Sequence, residues 1–185
     1  MKLILLRHGL TMANEKQLYC GATDIGLSDE GIEQLKENRP DIDPQGLRIV
    51  TSGKKRCEET LQVLFGDIPH EKDPAFSEMN FGTFEMKSYE DLKDTESYKT
   101  WISGDNEENR TPNGESGNDM VKRVTHALDL LLQKQEDTLL VTHGGVIAAI
   151  MAYLFPEENK NRYEWQSPPG GGYIIDTEEK THRAF

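Results

Sequence analysis

The feature that most constrains this chain is the alternation of short apolar runs with longer stretches of helical periodicity. Lys2–Leu6, Leu47–Ser52 and Thr138–Thr142 each place apolar residues next to one another over only a few positions. Runs of that length and pattern read as strands buried on both sides, which belong in a parallel sheet covered by helices. Helical patterns lie between them. Ser28 opens one, with Asp29 and Glu30 in the first turn, where negative charge suits the helix N-terminus. A second passes through Glu58-Glu59-Thr60-Leu61 to about Phe65. The longest runs from about Ser116 to Gln135 and repeats Met120, Val121, Val124, Leu128, Leu131 and Leu132 at helical spacing. Val146–Leu154 is a further helix, and Tyr173–Asp176 a last strand at or beside the sheet edge. This order predicts an α/β fold: a three-layer sandwich with a mostly parallel central sheet and helices on both faces.

The length of 185 residues suits one domain spanning the whole chain. The segment 74–115 departs from the alternation. It is polar, holds two short helix candidates (Tyr89–Lys93 and Glu96–Ile102), and continues into a loop, Gly104–Gly114, that carries Asp105, Glu107 and Glu108. It reads as a small helical cap inserted over the sheet. The net charge of −12 argues against nucleic acid as a partner, since binding a phosphate backbone needs a basic footprint. It does not exclude a small anion. Salt limits long-range repulsion to about 8–10 Å, and a few arginines in one cleft dominate locally. No apolar run approaches the roughly 20 residues of a membrane span, and Leu3–Leu6 is too short for the core of a secretion signal. A cytoplasmic protein without membrane association is expected. Cys20 and Cys57 lack ligand-like spacing and read as two reduced thiols. A homodimer through an edge strand is compatible with the sheet, although no apolar face in the sequence specifies one.

The strand ends carry the chemistry. Right-handed crossovers put the C-terminal ends of parallel strands on one edge, and ligands bind there. Arg7, His8 and Gly9 follow the first strand. Arg56 follows the second, about one turn into a helix. His143, Gly144 and Gly145 follow the third and open the next helix, whose N-terminal N–H groups suit an anion. Two arginines and two histidines thus face one crevice. Taken singly, each has a plain structural explanation; their coincidence favours a site. Guanidinium groups match the geometry of a tetrahedral dianion. The histidines could instead hold a metal, but a cation beside Arg7 and Arg56 would be repelled. No metal and no cofactor are expected. A serine hydrolase is disfavoured by the lack of a Gly-x-Ser-x-Gly turn. Phosphoryl transfer through a histidine nucleophile fits best.

The string Leu5–Asn14, Leu-Leu-Arg-His-Gly-x-Thr-x-x-Asn, resembles the signature of the histidine phosphatase superfamily, also called the phosphoglycerate mutase-like family. The resemblance continues through Tyr19-x-Gly21-x-x-Asp24-x-x-Leu27-Ser28-x-x-Gly31 and through Thr51-Ser52 with Arg56 and Thr60. It extends over Glu78-x-x-Phe81-Gly82-x-x-Glu85, Pro112-x-Gly114-Glu115-Ser116 and Val141–Gly145. The strings are most similar to the bacterial branch that includes α-ribazole phosphatase. The resemblance implies that His8 is the nucleophile and forms a phosphohistidine. It implies that Arg7, Arg56 and His143 hold the phosphoryl group, with Gly144 beside it. Glu78 would be the general acid, protonating the leaving oxygen and then activating water. Asn14 and Thr23 would line the pocket, and Glu115 would orient an arginine or touch the substrate. His70, His126 and His182 fall outside the matched strings and read as surface residues.

The implied activity is hydrolysis of a small-molecule phosphomonoester, with α-ribazole phosphate as a candidate substrate. Mutase-type phosphoryl transfer is the rival within the family. Between Phe84 and Glu115 the chain has nine acidic residues against four basic ones, a poor host for a bisphosphorylated acid. A phosphate-binding module without turnover is the rival outside it, and Glu78 argues against that, because binding alone needs no acid at the leaving group. Leu10 stands where the family usually has a glutamate or glutamine. Gly53 and Lys54 replace the usual proline and apolar residue, and Met86 a usual glycine. These departures bear on substrate rather than chemistry.

Overall fold

The structure is a computed structural model that describes residues 1–104 and 107–185. Asp105, counted among the acids of the loop, lies outside the described residues. Along the chain run β1 (Lys2–Arg7), α1 (Met12–Glu15), α2 (Asp29–Glu37), β2 (Arg48–Thr51), α3 (Lys55–Phe65), β3 (Glu71–Lys72), α4 (Tyr89–Leu92), α5 (Glu96–Ile102), α6 (Gly117–Leu132), β4 (Thr138–Thr142), α7 (Gly144–Leu154), β5 (Gly172–Asp176) and β6 (Thr181–Ala184).

The strands form one sheet in the order β3-β2-β4-β1-β5-β6. β1, β2, β3 and β4 run parallel, while β5 and β6 add an antiparallel margin. The alternation of side chains along each strand builds both cores. Leu3 and Leu5 of β1, Leu140 of β4, and Tyr173 and Ile175 of β5 face one layer with residues of α6 and α7. Ile4 and Leu6, with Leu139 and Val141, face the other layer with Leu35 of α2 and Cys57, Leu61 and Leu64 of α3. Helices therefore cover both faces of a mostly parallel sheet, as the run pattern predicts.

The helix starts follow side-chain capping. Ser28 caps α2 and Ser116 caps α6, each by accepting from a backbone N–H three residues on. The segment after β3 builds its own small core from Phe84, Leu92 and Tyr98, against which Tyr19, Phe81 and Trp101 pack. Three elements were not expected from sequence: the single-turn α1, the two-residue β3 and the edge strand β6. Helix α7 begins at Gly144, two residues before Val146, so the Gly-Gly pair opens this helix as its place after β4 predicts. No helix among the described residues is long and apolar enough to cross a membrane. Cys20 and Cys57 are free thiols.

Candidate active site

His8 is the first residue after β1, and its N–H donates to the Thr142 carbonyl (2.9 Å), tying it to the end of β4. Its Nδ1 lies 2.7 Å from the Gly9 carbonyl. A carbonyl only accepts, so Nδ1 carries the proton and Nε2 keeps its lone pair. The residue is 5% exposed. Burial, then the charge of Arg56 and that of Arg7, outweigh the Gly9 hydrogen bond and lower its pKa to about 3. The ring is neutral at physiological pH.

His143 stands at the N-cap position of α7, with no capping bond from its side chain, and is fully buried. Its ring sits 5.1 Å from that of His8, edge to face. Its Nδ1 accepts from Arg56 Nε (3.3 Å), which leaves Nε2 to donate to Ser52 Oγ (2.9 Å) at the end of β2. Burial first, and then Arg56 and His8, hold it well below its ordinary pKa. Arg56 is 1% exposed, and its two terminal nitrogens donate to the carbonyls of Thr23 and Gly21 (2.9 Å each). These hydrogen-bond acceptors are neutral, so its positive charge is satisfied geometrically without being cancelled by a carboxylate.

Arg7 ends β1. One terminal nitrogen donates to the Ser167 carbonyl (2.6 Å), while Nε is buried without a partner among the described residues. An unpaired buried donor of this kind is costly unless something is meant to accept from it. Burial lowers the Arg7 pKa and the charge of Glu78 opposes it. Gly144 makes this placement possible, since a Cβ there would sit 3.1 Å from Arg7 Cζ. Gly145 does the same for Glu78, whose Oε2 accepts from the Gly145 N–H (2.9 Å) and whose Oε1 accepts from the Met79 N–H (3.0 Å). The start of α7 is thus occupied by the protein's own Glu78 carboxyl group.

A cavity of about 200 Å³ borders Arg7 and Glu78, while the buried His8, Arg56 and His143 are not among the residues that line it. Arg7, Glu78, Gly144 and Gly145 line it, Tyr19, Phe81, Trp101 and Tyr163 supply aromatic lining, and Arg162 and Gln166 lie beside them. A larger groove, about 300 Å³, runs between Leu10, Leu35, Pro168–Gly171 and Phe185. No ionisable side chain lines it, so the chemistry belongs to the smaller cavity. Leu10 therefore lines this groove and not the cavity that Glu78 lines. The Pro168–Gly172 loop backs directly onto the site: Gly170 N–H donates to the carbonyl of Arg7 (3.2 Å), and Arg7 N–H to the carbonyl of Gly171 (2.9 Å).

The other expected residues are placed less directly. Asn14 is the third residue of α1, and its Oδ1 accepts from the N–H (3.0 Å) and hydroxyl (2.9 Å) of Thr11 in a capping box. Thr23 lies behind Arg56, and its hydroxyl donates to Glu85 (2.6 Å). Glu115 pairs with Arg123 (2.9 Å), whose other nitrogen donates to the carbonyls of Ala75 (2.8 Å) and Ser77 (2.9 Å), directly before Glu78. Arg123, Arg162 and Glu85 carry no role in the sequence reading. A lone arginine on an amphipathic helix looks like a solvated charge until its partners are seen. His126 is exposed, whereas His70 and His182 are partly buried against Glu58 (3.0 Å) and Glu158 (2.5 Å).

Comparison with known proteins covers nearly the whole chain. The model of the histidine phosphatase superfamily (branch 1) matches residues 3–184. The adenosylcobalamin/alpha-ribazole phosphatase of Salmonella typhimurium is 34% identical over 95% of this chain and 90% of its own. The crystal structure of the alpha-ribazole phosphatase from Shigella flexneri superposes with a TM-score of 0.81 at 30% identity, covering 95% of this chain and 90% of that one. A phosphoglycerate mutase from Thermus thermophilus superposes with a TM-score of 0.71 at 27% identity, covering 95% and 93%.

Proposed function

The chain belongs to branch 1 of the histidine phosphatase superfamily, and from that premise we propose that it hydrolyses a small phosphomonoester through a phosphohistidine at His8. The observation that carries the assignment is the neutral, buried His8 ring, with Nδ1 committed to Gly9 and Nε2 free, set beside Arg7, Arg56 and His143.

In this reading Nε2 of His8 attacks phosphorus in line with the ester oxygen. The P–O bond breaks as the P–N bond forms, and Glu78 gives its proton to the departing alkoxide. Arg7 and Arg56 stabilise charge on the equatorial oxygens, which is where such transition states gather it. The unpartnered Nε of Arg7 is a donor available to one of those oxygens. The Glu78 carboxylate then takes a proton from water as the water oxygen attacks phosphorus. The P–N bond breaks, releasing phosphate and restoring the neutral ring. Gly144 and Gly145 let Arg7 and Glu78 approach the start of α7. Thr23 supports Arg56 through its carbonyl, and Asn14 shapes the turn after Gly9. The segment 74–115 acts as a cap, and Phe81 and Trp101 from it join Tyr19 and Tyr163 as aromatic wall. Such a wall suits a leaving alcohol that bears a planar ring. With the named relatives, this makes α-ribazole phosphate the first substrate to assay.

The test is a panel of phosphomonoesters, including α-ribazole phosphate and 3-phosphoglycerate, assayed in EDTA with wild type and His8→Ala. Phosphate release by wild type alone is expected. Turnover that survives His8→Ala would sink the mechanism, and mutase turnover exceeding phosphate release would overturn the phosphatase assignment.

A further inference from the structure

The segment Gly21–Thr23 is held from both sides. On one side stands Glu85, half-buried, whose two carboxylate oxygens accept from the N–H groups of Gly21 (3.1 Å), Ala22 (2.8 Å) and Thr23 (3.1 Å) and from the Thr23 hydroxyl (2.6 Å). The Phe81 N–H adds a further donor at 3.0 Å. On the other side the carbonyls of the same three residues point at cations. Gly21 and Thr23 accept from the two terminal nitrogens of Arg56 (2.9 Å each), and Ala22 accepts from Lys54 Nζ (2.6 Å). Gly21 is packed so tightly against the Met79 carbonyl that no Cβ fits. The Ala22 N–H shares a peptide plane with the Gly21 carbonyl, so this carboxylate fixes directly one of the two planes whose carbonyls hold the guanidinium of Arg56, and it anchors the residue that supplies the other through the Thr23 N–H and hydroxyl.

We propose that Glu85 is a positioning residue for Arg56: it aims the guanidinium at the phosphoryl site through the Gly21–Thr23 backbone. The inference rests on the reading of Arg56 as a phosphoryl-binding group. Burial works against the Glu85 carboxylate, but the Thr23 hydroxyl and the backbone donors outweigh it and hold its pKa below the ordinary value. The negative end of the clamp is thus charged under all conditions of assay near neutrality. Two carbonyls set the plane of Arg56, so a tilted peptide tilts the donor pair. A misplacement on the order of 1 Å in such a group can cost about 100-fold in rate. The same architecture accounts for Lys54, a departure from the family pattern, which takes up the third carbonyl.

The experiment is a double-mutant cycle on the full-length protein with Glu85→Ala, Arg56→Ala and the double variant, and with Glu85→Gln as the conservative change. Turnover of para-nitrophenyl phosphate, affinity for inorganic phosphate and melting temperature are read for each. Glu85→Ala is expected to lose roughly 10–100-fold in kcat/KM and to bind phosphate more weakly. Glu85→Gln, which keeps an oxygen acceptor, recovers part of both. The double variant is expected to bind phosphate no more weakly than Arg56→Ala alone, because the effect of Glu85 passes through Arg56. Multiplicative losses in phosphate affinity, or wild-type kinetics in Glu85→Gln and Glu85→Ala, would overturn the proposal. Should Glu85→Ala fail to fold, the cycle built with Glu85→Gln decides by the same criterion. Wild-type activity in Arg56→Ala would instead remove the functional reading on which the proposal rests.

Discussion

Acidification tests the burial of His8 without any assumption about substrate. Its folded-state pKa of about 3 lies below the ordinary histidine value of 6.5. As pH falls below that ordinary value, the unfolded chain takes up a proton that the folded ring refuses. The stability tied to the neutral ring is therefore complete above about pH 6.5 and declines as pH falls toward 3. At pH 4.5 the gap from the unfolded pKa is about 2 units, worth roughly 3 kcal/mol. For a chain of this size each kcal/mol moves the melting temperature by about 2–4 °C, so the His8 share is roughly 5–10 °C. The assay compares melting of wild type and His8→Asn at pH 7.5 and pH 4.5 in phosphate-free buffer. Wild type should lose about that much more than the variant, which has no ring to titrate. His143 shifts in the same direction and stays in both proteins; burial and Arg56, the larger causes of its shift, are common to both, so most of its contribution is shared. Equal losses in the two proteins would show that His8 is protonated in the folded state and would refute the reasoning. The same depression predicts that kcat/KM carries no acid limb near pH 6.5 from the nucleophile.

Three further outcomes follow from contacts around the site. Gly144→Ala should fold normally yet lose several-fold, up to about 10-fold, in kcat/KM, because its Cβ would press on Arg7 at 3.1 Å and shift the guanidinium; steady-state kinetics beside circular dichroism check this. Gly145→Ala should lower kcat more than it raises KM, since the new Cβ meets the Glu78 carboxylate rather than the phosphate site. Arg123→Met leaves the Ala75 and Ser77 carbonyls and the Glu115 carboxylate short of a donor, at a cost of about 1–3 kcal/mol read by urea unfolding, with a fall in kcat through the loosened Glu78 segment. EDTA should leave phosphate release unchanged in every variant that retains activity.

The sheet and its helices were legible because their signals are strong and local. Leu3–Leu6 and Leu139–Val141 have no polar interruption, and Ser28 and Ser116 mark helix starts by capping. The missed elements are those that hydrophobic patterning does not specify. β3 is two exposed residues, Glu71 and Lys72, paired only to β2. β6 is the polar edge strand Thr181–Ala184, held by β5. The proximity of His8, His143 and Arg56 is legible because parallel topology sends strand ends to one place. The supporting shell was not. Glu85 and Arg123 act on backbone groups distant in sequence, and nothing in a residue's identity says which carbonyl it will meet. The sequence reading gives Gly144 and Gly145 the start of an anion-binding helix; the structure adds the space they leave for Arg7 and Glu78.

The central claim is that phosphate passes through His8. Wild type and His8→Ala mixed with a ³²P-labelled phosphomonoester, quenched in alkali within milliseconds and digested, would test it directly. The predicted result is acid-labile, base-stable label on the peptide that contains Arg7-His8-Gly9, appearing before free phosphate and absent from the variant. Free phosphate formed by wild type with no label on that peptide, or label at the same level in His8→Ala, would contradict it.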